Sequence, residues 1–192
     1  MKRNSLLFII FTAFFSSIAF VLFLIEIPIL PELGHLKLDF SDVPAVIAAA
    51  IFNPLMGILV ELIKNLIELF TKGIATQMGF GNFMNFLVGC AYLLPFSIIY
   101  RKRIKSNNSY LSTTLPASIF GVLSMILFGL IGNYFIAPLY FKLFLNTTLD
   151  TTALYSVIIG ATVLNLIKGV LISIIVYPLI FLFKKNLSKF IK

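Results

Sequence analysis

The chain has 192 residues, 60% hydrophobic and only 11% charged, with a mean hydropathy of +1.06. Soluble domains carry about 25% charged residues, so this composition excludes one and predicts an all-α membrane protein, a single transmembrane domain over residues 1–192 set in the lipid bilayer. The net charge of +8 does not point to nucleic acid, because the basic residues sit in short clusters between apolar blocks.

The first apolar stretch, Leu6 to Ile25, is longer than a signal-peptide core. Glu26-Ile27-Pro28 follows it instead of a small-residue cleavage site, so it is expected to remain as a transmembrane helix over about 6–25. It carries two small-residue pairs spaced by four, Ala13 with Ser17 and Thr12 with Ser16. Such spacing lets helices approach closely, either inside the chain or against another membrane subunit.

The apolar block 43–70 is broken by Asn53-Pro54, because proline disfavours helix at the residue before it. The break predicts a second helix at about 43–52 and a third at about 55–72. Ten residues rise only about 15 Å, half of a hydrocarbon core of about 30 Å. The preceding segment, 26–42, is therefore expected to form a re-entrant extracellular loop, which is tolerated at depth only when protein or a watery cavity covers it. Pro28, Pro31 and Gly34 supply turns, and Ser41 or Asp42 can cap the helix ahead of Pro44. Asp39-Phe40-Ser41-Asp42 is a lone D-x-x-D, readable as a loop acid plus a helix cap or as a weak sign of an enzyme acting on lipid diphosphates.

The third helix carries Glu61, Lys64, Glu68 and Lys72 on one face. Either a structural charge ladder or participation of Glu61 and Lys64 in a polar cavity fits that stripe. The fourth helix, about 82–100, opens near Gly79 and Gly81 and presents Asn82 and Asn85 on a shared face; its Cys90 is the single cysteine, so no internal disulfide forms. The fifth, about 111–138, passes through Gly129, Gly132, Asn133 and Tyr134. The sixth, about 154–183, holds Asn165 and Lys168 on one face. A lysine at that depth costs about 2.5–3.5 kcal/mol on insertion scales, so Lys168 is expected either to serve a binding site or to pair with Glu61 or Glu68.

Basic clusters at Lys2-Arg3, Arg101-Lys102-Arg103 with Lys105, and Lys184, Lys185, Lys189 and Lys192 contain no acid. The positive-inside rule puts the N and C termini and the 101–110 loop in the cytoplasm, which requires an even number of crossings. Six transmembrane helices satisfy that rule and five do not. Asn85, Asn133, Asn165 and Lys168 then converge in the outer half or middle of the membrane. Amides donate and accept, and lysine donates, so the set suits a weakly charged solute with a flat apolar body and a carbonyl or imide edge. No G-x-x-x-x-G-K-[ST] and no H-E-x-x-H is present, and one histidine, His35, builds no histidine-rich metal site. No enzyme, metal or cofactor is expected, and ATP hydrolysis has to come from other chains.

The run from Leu36 through Asp39, Phe40, Ser41, Asp42 and Pro44 to Ala49, followed by Phe52-Asn53-Pro54 and Gly57, resembles the first loop and second helix of the substrate-binding S components of energy-coupling factor (ECF) vitamin transporters. Glu61-Leu-Ile-Lys-Asn65 and Asn165-Leu-Ile-Lys168 look most like the riboflavin-specific member. The resemblance implies a bacterial plasma-membrane subunit with riboflavin as its transported ligand, working with a transmembrane coupling subunit and two ABC-type ATPase subunits. It further implies ligand contacts from Asn133, Asn165 and Lys168, with Asp39, Phe40 and Asn85 close by; Glu61 is added as a candidate from the charged face of the third helix. Ala13 and Ser17 would contact the coupling subunit, Ser17 departing from the family's two alanines. An S component for another vitamin is the nearest alternative.

Overall fold

The computed structural model describes residues 3–28, 37–72, 79–105, 109–144 and 146–187. Its helices are α1 (Arg3–Phe23), α2 (Asp42–Ile51), α3 (Pro54–Lys72), α4 (Phe80–Lys105), α5 (Tyr110–Ile131), α6 (Ala137–Phe144) and α7 (Thr151–Leu187). A π-turn at Gly132–Ile136 joins α5 to α6 as one rod. Two-residue strands, β1 (Ile27–Pro28) and β2 (Lys37–Leu38), pair antiparallel at the foot of the first loop. Four rods are long and apolar enough to cross a membrane: α1, α4, α5–α6 and α7.

The six predicted helices are present, with shifted ends. The predicted stop at residue 100 is passed because Lys102, Arg103 and Lys105 stand in the last turn of α4, where cations favour the negative end of the helix dipole. The predicted stop at Pro138 is passed too. Proline removes one helical hydrogen bond and its ring crowds the carbonyl four residues back; here the turn ahead of it is widened, with the Ala137 N–H donating to Gly132 O.

α2 is the buried centre. Every residue from Asp42 to Ala50 is buried, and α1, α3, α4 and α7 all pack on it. A ten-residue helix can be enclosed so completely because four of its residues are alanine and most of the others, such as Val43, Val46 and Ile47, are apolar. At the reversal into α3, Asn53 caps the new helix, its Oδ1 accepting from the Leu55 N–H at 2.9 Å. Arg101 of α4 donates to Phe52 O at 2.7 Å, satisfying a carbonyl at the end of α2. The predicted turn signal therefore acts, with help from a cation of the basic run.

The expected capping of α2 by Ser41 or Asp42 is not made. Ser41 stands at the N-cap position without a side-chain cap bond; its N–H donates to Asp39 Oδ1 at 2.9 Å, and its hydroxyl is committed elsewhere. The loop's returning limb is buried at Leu38, Asp39, Ser41 and Asp42, and β2 packs on α7. Pro31, Gly34, Glu32 and His35 lie outside the described residues, as do Lys2, Lys189 and Lys192.

Gly57 is where α3 meets α2 most closely. A Cβ there would stand 2.6 Å from Ala49 Cβ and 2.7 Å from Ala45 O, whereas at Gly81 it would meet nothing within 4 Å. Gly57→Ala should therefore lower the apparent melting temperature in detergent by several degrees, reflecting about 1–3 kcal/mol of overpacking. Gly81→Ala should melt like the unaltered protein. Equal melting of the two variants would contradict this packing.

Candidate functional site

Three carboxylates and two ammoniums are enclosed where the first loop meets α2, α3 and α7. Asp42, the first residue of α2, divides its carboxylate: Oδ1 takes an ion pair from Lys64 of α3, and Oδ2 lies 2.9 Å from Lys168 Nζ of α7. Asp39 of the loop adds a second contact to Lys168, Oδ2 to Nζ at 2.9 Å. Lys64 also donates to Ser41 Oγ at 2.7 Å and pairs with Glu61 Oε2 at 2.8 Å. The Ser41 hydroxyl in turn donates to Asp39 Oδ1. Lys64 and Glu61 are 0% exposed and Lys168 is 4% exposed.

Such burial is tolerated only because each charge meets an opposite one. Moving an ion out of water is unfavourable by several kcal/mol, and removing one partner of a buried pair destabilises by about 3–5 kcal/mol. An ammonium has three N–H donors. Lys64 donates to Ser41 and Asp42 and forms an ion pair with Glu61. Lys168 donates to Asp39 and has Asp42 Oδ2 in ion-pair range, so among the described residues at least one of its donors remains uncommitted.

Amides extend the site from Lys168 toward α4 and α5. Asn165 is one turn before Lys168 on α7 and buried, and its amide nitrogen occupies the place where a Cβ on Gly129 would stand. Asn133, in the π-turn, donates to Gly129 O at 2.8 Å. A π-turn breaks helical register, and such turns recur at functional sites; here it accompanies a buried Asn133 beside exposed Tyr134. Asn85 of α4 makes a long contact with Asp39, Nδ2 to Oδ2 at 3.5 Å, and its Oδ1 finds no donor among the described residues. Phe40 is half-buried against the core.

Thus Lys168, Asn165, Asn133, Asn85 and Asp39 are brought together, with Phe40 adjacent in the chain. Neither Glu61 nor Glu68 holds Lys168, contrary to one sequence expectation. Glu61 abuts Gly89, where a Cβ would lie 2.6 Å from its Oε2, and belongs to Lys64. Glu68 accepts from the Asn82 amide instead. On α3 Glu61 and Lys64 pair across one turn, and Lys64 also reaches across to Asp42 of α2; of the Lys72 side chain nothing is described. Asp42 and Lys64 carry more of the site than the sequence reading assigned them. Their signal was the shortness of α2: a helix that rises only about 15 Å starts inside the protein, so the acids beside its start are internal.

Asp39 and Asp42 both spend a carboxylate oxygen on Lys168, and no group of three or more His, Cys, Asp or Glu suited to a metal occurs among the described residues. The diphosphate-enzyme alternative has no support in this arrangement. On α1, Thr12 and Ser16 face inward and are buried, while Ala13 and Ser17 are exposed. The two small-residue pairs therefore look in different directions.

The family model described as ECF transporter, substrate-specific component, matches residues 7–180. The riboflavin transporter FmnP of Bacillus subtilis (strain 168) is 36% identical over 169 residues, which cover 87% of this chain and 86% of that protein. The riboflavin transporter RibU of Staphylococcus aureus (strain TCH60) is 37% identical over 196 residues, covering 100% of this chain and 95% of the relative. A solved structure described as the S component of a bacterial ECF transporter superposes with a TM-score of 0.72 at 30% identity, over 100% of this chain and 99% of the other.

Because Asp42 serves both lysines and Asp39 only one, their neutral amides should differ in effect. Asp42→Asn should reduce stability in detergent by about 3–5 kcal/mol, and Asp39→Asn by clearly less, since Lys168 keeps Asp42. Comparable losses in thermal unfolding would contradict the central place given to Asp42.

Proposed function

This chain belongs to the substrate-specific component family of ECF transporters, and from that membership we propose that it binds riboflavin with high affinity outside the cell and passes it to an ATP-driven complex. It is a multi-pass bacterial plasma-membrane protein and a transport component, with no enzymatic activity of its own. The family works with an ECF module; in this reading the module is one transmembrane coupling subunit with two ABC-type ATPases. Both termini and the 101–110 loop face the cytoplasm, and the site opens outward beneath the first loop.

The observation that carries the ligand assignment is the uncommitted donor of Lys168 among three amides. Riboflavin presents a flat isoalloxazine ring with carbonyls and an imide N–H on one edge. Lys168 donates its third N–H to a ring carbonyl. Asn165 and Asn133 hydrogen-bond along the same edge, Asn85 Oδ1 accepts from a donor on the ligand, and Phe40 lies against the apolar body. Asp39 keeps the ammonium directed and ties the loop's returning limb to the bound solute. Glu61 supports the site through Lys64. The relatives FmnP and RibU are named as riboflavin transporters, which favours this vitamin over another.

Protein purified from riboflavin-fed cells should be yellow and show the visible flavin spectrum. Lys168→Met leaves the buried Asp39 without a cation and should cost about 3–5 kcal/mol of stability; the folded protein should bind riboflavin more weakly by at least about 1.5 kcal/mol, as for a charge-assisted hydrogen bond. Unchanged affinity by fluorescence titration would show that the lysine is structural.

Ala13 and Ser17 are exposed small residues on α1, and this reading makes them the contact with the coupling subunit. Ala13→Phe should leave riboflavin titration unaltered while reducing co-purification with the ECF module by about tenfold or more, an effect within the range of interface hot spots. Undiminished co-purification would remove α1 from that interface.

A further inference from the structure

Lys64 is fully enclosed, and it is taken up by its neighbours: it donates to Ser41 and Asp42 and forms an ion pair with Glu61 Oε2 at 2.8 Å. Two of those acceptors lead directly to Lys168. Asp42 passes from Lys64 through its own carboxylate, Oδ1 to Oδ2, onto Lys168 Nζ. Ser41, which accepts from Lys64, donates to Asp39 Oδ1, and the other oxygen of Asp39 holds Lys168. Both carboxylates that orient the Lys168 ammonium are thus themselves held by Lys64, by separate routes. Glu61 neutralises the remaining charge, and the Phe23 ring, with its centroid 5.5 Å from Lys64 Nζ, covers the ammonium.

We propose that Lys64 is a positioning residue for ligand capture: without touching the ligand, it sets through Asp42 and Ser41–Asp39 where Lys168 points its free N–H. The inference rests on the reading of Lys168 as the ligand's donor. Lys64 pulls Asp42 toward α3, which leaves only Oδ2 turned to α7. With Lys64 absent, Asp42 is free to take Lys168 with both oxygens, and Ser41 no longer fixes the rotation of Asp39. The ammonium then sinks toward the acids, and its remaining donor is lost to the solute. A purely structural lysine would tie α3 to α2 and have no such effect on a residue of α7.

Removing Lys64 alone strands carboxylates, so the informative variant is Lys64→Met with Glu61→Gln, which lowers both charges together. Riboflavin affinity is measured for this variant in the natural background and in Lys168→Met. Coupled neighbours deviate from additivity by 0.5–3 kcal/mol, so a loss of about tenfold is expected in the natural background, with less than about twofold further loss in Lys168→Met. Equal losses in both backgrounds, or none in either, would overturn the proposal. The visible band of bound flavin should shift in the same direction as in Lys168→Met, although Lys64 is out of reach of the ring.

A ligand-free measurement separates this inference from the flavin assignment. In protein carrying 13C-labelled lysine, the Lys168 Cε resonance, identified by its loss in Lys168→Met, should move in the Lys64→Met/Glu61→Gln variant. A stationary resonance refutes the positioning role whatever the protein binds; failure of the natural protein to bind riboflavin, with the resonance moving, refutes the flavin reading alone. Should the double variant not fold, Ser41→Ala cuts only the route to Asp39. It should move the same resonance and cost about threefold in affinity, and an unmoved resonance there is equally decisive.

Discussion

The structure depends on one carboxylate that serves two lysines. Asp42 gives one oxygen to Lys64 of α3 and the other to Lys168 of α7, so α2, α3 and α7 meet at a single side chain. Charges enclosed this fully are unfavourable unless matched, and the matching leaves little freedom in how those helices sit. Asp39 joins the loop to the same centre through Lys168. The arrangement needs no net attraction beyond solvation to matter: any packing that separated the groups would strand a charge, and such packings are thereby disfavoured.

What sets the height of Asp42 is the brevity of α2. Its ten residues are enclosed by four helices, and its small side chains, with Gly57 opposite, let α3 come close. Arg101 closes its far end. Were α2 longer, its start would reach the surface and its acid would be solvated rather than paired. Outside this centre the surface is apolar: Ile9, Phe14, Leu123, Phe128, Ile159 and Ile174 are all exposed, as suits helices whose solvent is lipid rather than water.

Much of this was legible from the chain. Apolar blocks and the Asn53-Pro54 break locate the helices because hydrophobic length and proline act locally, and an intramembrane lysine announces a site because its insertion is unfavourable. The amides Asn85, Asn133 and Asn165 could be named for the same reason. The partner of Lys168 could not. Asp39 and Glu61 are separated from it by more than a hundred positions, and which acid arrives depends on how helices pack, not on spacing along one of them. Ser41 and Asp42 misled because capping preference is a local signal; three-dimensional demand from two lysines overrode it. The widened turn before Pro138 was likewise invisible, since a proline ordinarily ends a helix and only the bonded geometry reveals an exception.

The central claim is that Lys168, held by Asp39 and Asp42, offers its remaining donor to the transported solute. The most direct measurement is an experimental structure of the protein with riboflavin bound. The account predicts Lys168 Nζ at about 3 Å from a ring carbonyl oxygen, a normal hydrogen-bond distance, with Asp42 still shared between Lys64 and Lys168. Riboflavin seated elsewhere, or a Lys168 ammonium turned wholly onto the acids and away from the ring, would contradict it.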